Sequence, residues 1–243
     1  PQSERQDRDG NRRAGGRGPH PSGAKIGEAL RDQVQHDLAP SIAAPLSGAA
    51  LFPYNPRMRL ESLTLHHVKM PLRSPFQTSR WVEVDRECLI VEAHADGLTG
   101  WGECVAGAIP SYSYESVRTA WHILEDFLIP LVLDADLVGV PAYHALIEPI
   151  SGHPMARAGL ELALWDLFAQ RAGQSLRDHW GGTADRVRVG VSVGIQDTPE
   201  RLLEVVEGYL ADGYRRIKLK IKPGRDVSEV AIIRRHHPDL LLQ

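Results

Sequence analysis

Lys218 and Lys220 stand two positions apart in the run Arg216-Ile217-Lys218-Leu219-Lys220-Ile221-Lys222-Pro223-Gly224, which alternates basic and aliphatic side chains. A strand sends successive side chains to opposite faces, so Ile217, Leu219 and Ile221 share one face and the three lysines share the other. Sequential positions on one face bring two ammonium groups within about 7 Å, and each disfavours charge on the other. Desolvation acts in the same direction. A lysine held toward neutrality takes up a proton at ordinary pH. A cation beside it stabilises the anion left when a carbon acid is ionised. The same alternation also suits a solvated basic edge strand. Lys222, beside Pro223, belongs at the solvent-facing rim.

The elements around this run decide where the lysines point. A helical pattern stands on each side of it, and strands alternating with helices build a parallel sheet or barrel covered on its outer face. The lysines of such a strand face inward, toward a site at its carboxyl end. Upstream, Val187, Val189, Val191 and Val193 alternate with Arg188, Gly190, Ser192 and Gly194. With the valines toward the helices, Gly190, Ser192 and Gly194 face the interior and leave room for a ligand. Ser192 is a candidate substrate contact, with plain barrel packing as the equal alternative. Thr198 as N-cap, Pro199 at the first helical position and Glu200 start a helix. Leu202, Val205, Val206, Tyr209 and Leu210 form its buried stripe, and Gly213 stops it. A helix over residues 227–236 and a strand from Leu240 follow. Residues 186–243 therefore read as right-handed, parallel β-α-β-α-β. Three strands cannot close an eight-stranded barrel, so the start of a TIM-type (β/α) barrel is expected, incomplete in this chain.

Residues 58–185 read differently. Strands are expected over 60–68, 86–94 and 99–105, with a loop over 71–81 and an Asp96-Gly97 hairpin turn. Helices are expected over 113–131, 141–147 and 154–172, which makes an α+β domain. Residues 1–57 have another texture. The first 25 positions hold six Arg or Lys against three Asp or Glu, many Gly and Pro, and hardly a large apolar residue. That composition predicts a disordered extension outside the fold. A nucleic-acid arm is the other reading, disfavoured because the run is short, diluted by acids and without aromatics.

The 243 residues carry a net charge of −3, so nothing global points to nucleic acid or an anionic membrane. Cys88 and Cys104 cannot make a disulfide framework, which predicts a reduced, cytoplasmic setting with both thiols buried. No apolar run reaches the ~18 residues of a membrane span, and no signal peptide opens the chain.

Lys218-Leu219-Lys220-Ile221-Lys222-Pro223-Gly224, preceded by Gly190-Val191-Ser192-Val193-Gly194, resembles the enolase superfamily, closest to its branch of o-succinylbenzoate synthases and N-acylamino acid racemases. Pro75-Phe76-Gln77-Thr78-Ser79, Gly100-Trp101-Gly102-Glu103-Cys104, Pro110-Ser111-Tyr112-Ser113-Tyr114-Glu115 and Ala158-Gly159-Leu160-Glu161-Leu162-Ala163-Leu164-Trp165-Asp166 are similar to its amino-terminal capping domain and domain junction. The resemblance implies that residues 58–185 are the capping domain, that Lys220 moves a proton alpha to a carboxylate, and that Lys218 is its electrostatic partner. It implies a Mg²⁺ ion or another divalent metal that holds the substrate carboxylate and stabilises an enediolate. The reaction implied is syn dehydration of a cyclohexadiene carboxylate to o-succinylbenzoate, on the route to menaquinone. N-acylamino acid racemase, dipeptide epimerase and muconate cycloisomerase are neighbouring activities, and a non-catalytic truncated product is a further alternative.

The loops 76–81 and 106–112 resemble those that close over the substrate, with Phe76, Thr78, Ser79 and Tyr112 as contacts; ordinary surface connection is the other reading. The family's acidic metal ligands and opposing lysine are not found, so no metal residue is assigned and this chain by itself is expected to be an inactive fragment. Glu103, Glu161 and Asp166 read as structural carboxylates, and His236-His237 as a helix end. The partners implied are a small-molecule carboxylate and, for the full-length enzyme, further copies of itself, with no nucleic acid and no membrane.

Overall fold

The computed structural model describes residues 57–133 and 135–243. Apart from Arg57, the extension expected over residues 1–57, and with it the nucleic-acid reading, lies outside the described residues.

An antiparallel sheet comes first, with β1 (Ser62–Gln77), β2 (Val82–Ala95) and β3 (Leu98–Cys104) in that order. Asp96 and Gly97 turn β2 into β3 with φ of 52° and 73°, both in the left-handed region that a two-residue hairpin turn requires. The loop expected over 71–81 is shorter in the structure. β1 pairs with β2 as far as Pro71 opposite Asp85, slips register, and resumes with Phe76 opposite Glu83 and Gln77 opposite Val82. Pro71 and Pro75 argue against a strand from sequence. β1 is the sheet's edge, however, where an N–H directed away from β2 has no ladder bond to lose, and Pro75 falls within the register slip, where no pairing is kept.

The helices are α1 (Val117–Ile123), which runs through a π-helical segment (Leu124–Leu128) into α2 (Ile129–Leu133), then α3 (Val140–Leu146), α4 (Pro154–Arg171) and the short α5 (Leu176–His179). α1 starts later than Ser113 because Ser116 and Thr119 cap each other: Ser116 Oγ accepts from Thr119 N, and Ser116 N donates to Thr119 Oγ1 at 2.9 Å. α5 is not read from the sequence, being only one turn. The core lies between the sheet and α4: Leu89, Val91 and Ala93 of β2 are buried with Leu160, Ala163, Leu164 and Leu167. α4 also lies directly on the β3 backbone. A Cβ at Gly102 would sit 2.1 Å from Gly159 O, so only glycine fits there.

The second sheet is parallel, β4 (Val191–Val193), β5 (Arg216–Leu219) and β6 (Leu241–Leu242), with α6 (Pro199–Ala211) and α7 (Asp226–His236) as crossovers. Thr198 caps α6 as expected, its Oγ1 accepting from Arg201 N at 3.1 Å. Leu202 and Val206 of α6 and Ile233 of α7 bury the same face of the sheet, made of Val193, Ile217 and Leu219. Two successive crossovers on one face are the arrangement of a barrel wall, not of a sheet covered on both sides. β4 is shorter than the expected alternation from Val187. Val187 and Val189 are 80% and 64% exposed. The register that sets Val191 against Ile217 puts residues 187–189 opposite residues 213–215, where the chain is still leaving α6.

Candidate active site

Ile217 and Leu219 take the helix side of β5, which leaves Lys218 and Lys220 on the face that α6 and α7 do not cover. Lys218 is exposed and Lys220 half-buried. The Lys220 N–H donates to Val193 O at 2.9 Å and fixes its backbone to β4. Its Nζ stands 5.9 Å from the centre of the Phe76 ring, within reach of a cation–π attraction. Lys222, expected at the solvent-facing rim, is half-buried in the turn into α7, where its carbonyl accepts from Arg225 N at 3.2 Å.

Phe76 reaches Lys220 because the end of β1 docks on the end of β4. Ile195 N donates to Gln77 O at 3.0 Å. A Cβ on Gly194 would lie 3.2 Å from Gln77 N, 3.3 Å from Gln77 O and 3.5 Å from Phe76 Cδ2. The space that a small residue at 194 opens is therefore filled by β1, not left for a ligand. Ser192 stands beside Lys218 across the β4–β5 ladder and is exposed, away from the cleft described next.

That cleft, about 520 Å³, runs from Lys220 between the end of the β1–β2 hairpin and the connection after β3. Phe76, Thr78, Tyr112 and Lys220 line it together; Ser79, Ser192 and Lys218 do not. Tyr112 stands at the rim and is 86% exposed. Thr78 has its hydroxyl committed to the turn: Oγ1 donates to Trp81 O at 3.1 Å and accepts from Arg80 N and Trp81 N, each at 3.2 Å. Its contribution to the cleft is shape rather than a free hydrogen-bonding group. Trp81 and Ile109, from the two loops expected to close over the substrate, also line the cleft, together with Arg86 and Met155, which are not anticipated from the sequence. Arg86 donates from Nη2 to Val105 O at 2.7 Å, tying the connection after β3 to β2. The alternation Val82-Glu83-Val84-Asp85 is a period-two signal that extends the second strand upstream and could have placed Arg86 on it; Met155 carries no such signal.

The cations of the cleft differ in their partners. Lys69 Nζ lies 3.1 Å from Asp85 Oδ2, and that hydrogen-bonded carboxylate pushes the ammonium's pKa above its ordinary value. Arg86 Nη1 lies 3.5 Å from Glu83 Oε1. Lys220 has no carboxylate within ion-pair distance among the described residues. An ammonium over an aromatic ring and open to a cleft suits an anionic group, and as a free amine it suits proton abstraction.

The divalent metal implied by resemblance does not fit here. Among the described residues no group of three or more His, Cys, Asp or Glu could hold an ion. The cleft's buried carboxylate, Glu115, is taken by α4: Oε1 accepts from Met155 N at 2.8 Å and Oε2 from Ala156 N at 3.0 Å. It does this from outside the helix because His153 at the N-cap makes no side-chain cap. Asp166 Oδ2 accepts from Trp101 N at 2.9 Å and Glu161 Oε1 from Trp165 Nε1 at 3.1 Å, the structural roles expected of them. His236 Nδ1 lies 2.9 Å from Ile232 O, one turn back on α7.

Residues 61–181 match the family described as mandelate racemase / muconate lactonizing enzyme, N-terminal domain. The o-succinylbenzoate synthase of Geobacillus kaustophilus is 45% identical over 186 residues, covering 76% of this chain and 50% of that protein. The N-succinylamino acid racemase of Thermus thermophilus is 42% identical over 185 residues, again 76% of this chain and 50% of that protein. A crystal structure of an unknown member of the enolase superfamily from Enterococcus faecalis V583 aligns with a TM-score of 0.69 at 37% identity, over 76% of this chain and 51% of that one. The chain thus spans about half the length of the curated relatives it matches.

Proposed function

As the chain belongs to the enolase superfamily, in its mandelate racemase / muconate lactonizing enzyme group, we propose that it supplies the base-bearing strand and the substrate-closing domain of an o-succinylbenzoate synthase-like lyase. The observation that supports this most directly is Lys220, a cation with no carboxylate partner among the described residues, which faces the cleft over Phe76.

In this reading Lys220, as the free amine, removes the proton alpha to the substrate carboxylate. Negative charge then spreads onto the carboxylate oxygens, and Lys218, two positions back on the same face of β5, lowers the energy of that enediolate. Hydroxide leaves the adjacent carbon. In a syn elimination the proton and the hydroxide depart from one side, so the Lys220 ammonium returns its proton to the hydroxide and water is released. Phe76 and Tyr112 enclose the part of the substrate that does not react. A divalent metal is implied for the whole enzyme by kinship.

Similarity of nearly the same degree to an N-succinylamino acid racemase supports a second reading, racemisation, which begins with the same proton abstraction. One assay separates them. Protein carrying this chain is given the cyclohexadiene carboxylate precursor and, separately, an N-succinylamino acid in D₂O, with dehydration and alpha-proton exchange followed together. Lys220→Ala is expected to lower both by about 10³-fold. A variant that keeps its rate removes Lys220 from the chemistry.

A further inference from the structure

Two charged residues that do not line the cleft are left without a role in this chemistry. Glu229 on α7 is buried, its side chain 2% exposed, and Arg225 at the start of α7 lies against it, Nη2 at 2.7 Å from Oε1. The pair is an ion contact without the alignment of a hydrogen bond. Nη2 instead donates to Gln196 O at 2.8 Å. Burying such a pair gains little stability by itself, because desolvation offsets most of the attraction. Its reason therefore lies in what the guanidinium holds.

What it holds is the segment against which both sides of the cleft are set. Val193 O receives the Lys220 N–H, and Ile195 N donates to Gln77 O, next to Phe76. Residues 193–196 thus refer the lysine and the ring to each other, and Arg225 secures the far end of the same segment. Gln196 Nε2 adds an internal tie to Gly194 O at 2.9 Å. We propose that Arg225 and Glu229 are a positioning pair that sets Phe76 against the Lys220 nitrogen. Glu229 keeps Arg225 extended toward Gln196, Arg225 holds the carbonyl, and the segment carries the end of β1 into place. The functional meaning rests on Lys220 being the base, but the geometry is tested without turnover.

The lysines of the full chain are reductively ¹³C-methylated, and the Lys220 dimethylamino resonance is assigned by its loss in Lys220→Arg. The Phe76 ring shifts that resonance, and Phe76→Leu gives its position without the ring. Glu229→Gln keeps shape and removes the charge; the resonance is expected to lose a large part of its ring-induced shift. The double variant Arg225→Met with Glu229→Leu leaves no unpaired charge and is expected to lose nearly all of it. Val230→Ala, on the exposed side of α7, perturbs the helix without touching the pair and is expected to leave the resonance in place. A Lys220 resonance unmoved in Glu229→Gln overturns the proposal, whatever the melting temperature does. If the double variant does not fold, Glu229→Gln decides alone. Loss of turnover in Lys220→Ala bears on the catalytic reading, not on this one.

Discussion

Burial pushes the Cys104 thiol up to about 11 from an ordinary 9.0, with the Glu115 and Glu103 carboxylates adding to the effect and an Ala106 backbone hydrogen bond opposing it. Below pH 9 the thiol is protonated in the folded and unfolded chain alike, so it does not affect stability there. Between 9.0 and about 11 the unfolded chain ionises first, and stability falls as pH rises. Melting temperatures of the wild type are therefore expected to drop across this window, with a shallower drop in Cys104→Ala, although that variant starts lower because of the cavity it creates. Glu115 offers a second test of a single side chain. In Glu115→Gln one carboxylate oxygen becomes an NH₂ that confronts a helix N–H. The cost is expected to be roughly 1–3 kcal/mol in urea unfolding. A cost near zero would show that α4 does not depend on this cap.

At the scale of elements, the contact between β1 and β4 decides whether a cleft exists. Gly194→Ala places a methyl group 3.2–3.3 Å from the Gln77 backbone, closer than ordinary packing allows. One strand end must then shift by a few tenths of an ångström. The variant is expected to lose about 1–2 kcal/mol of stability and to exchange the Ile195 amide hydrogen faster than the wild type. An unchanged exchange rate would mean that the hydrogen bond to Gln77 does not hold the two strand ends together. The edge position of β1 also explains why its two prolines mislead a reading by residue type. A proline is penalised only where its N–H is needed, and which strand becomes an edge is not written in its own residues.

For the molecule as a whole, the two sheets differ in how well they are covered. The antiparallel sheet is packed on α4, whereas among the described residues β4 and β6 are edges of the parallel sheet, with Val187, Val189 and Leu241 well exposed beside them. Parallel edges flanked by apolar side chains accept further strands, from the remainder of a barrel or from another chain. Light scattering of the 243-residue polypeptide by itself is expected to show concentration-dependent association that Val189→Lys reduces. If the variant associates as the wild type does, this edge is not the contact.

Sequence alone was enough for whatever depends on neighbours along the chain. The period of two in β5 separates lysines from aliphatics, Thr198 caps its own helix, and Asp96-Gly97 closes a hairpin, because each needs only a few residues in register. Family-like motifs were legible for the same reason. Only the folded molecule decided that Phe76 lies over Lys220, that the Thr78 hydroxyl is occupied by its own turn, and that Gly194 makes room for backbone instead of ligand. A side-chain pattern states which face a residue takes, but what meets that face is chosen by packing between segments remote in sequence.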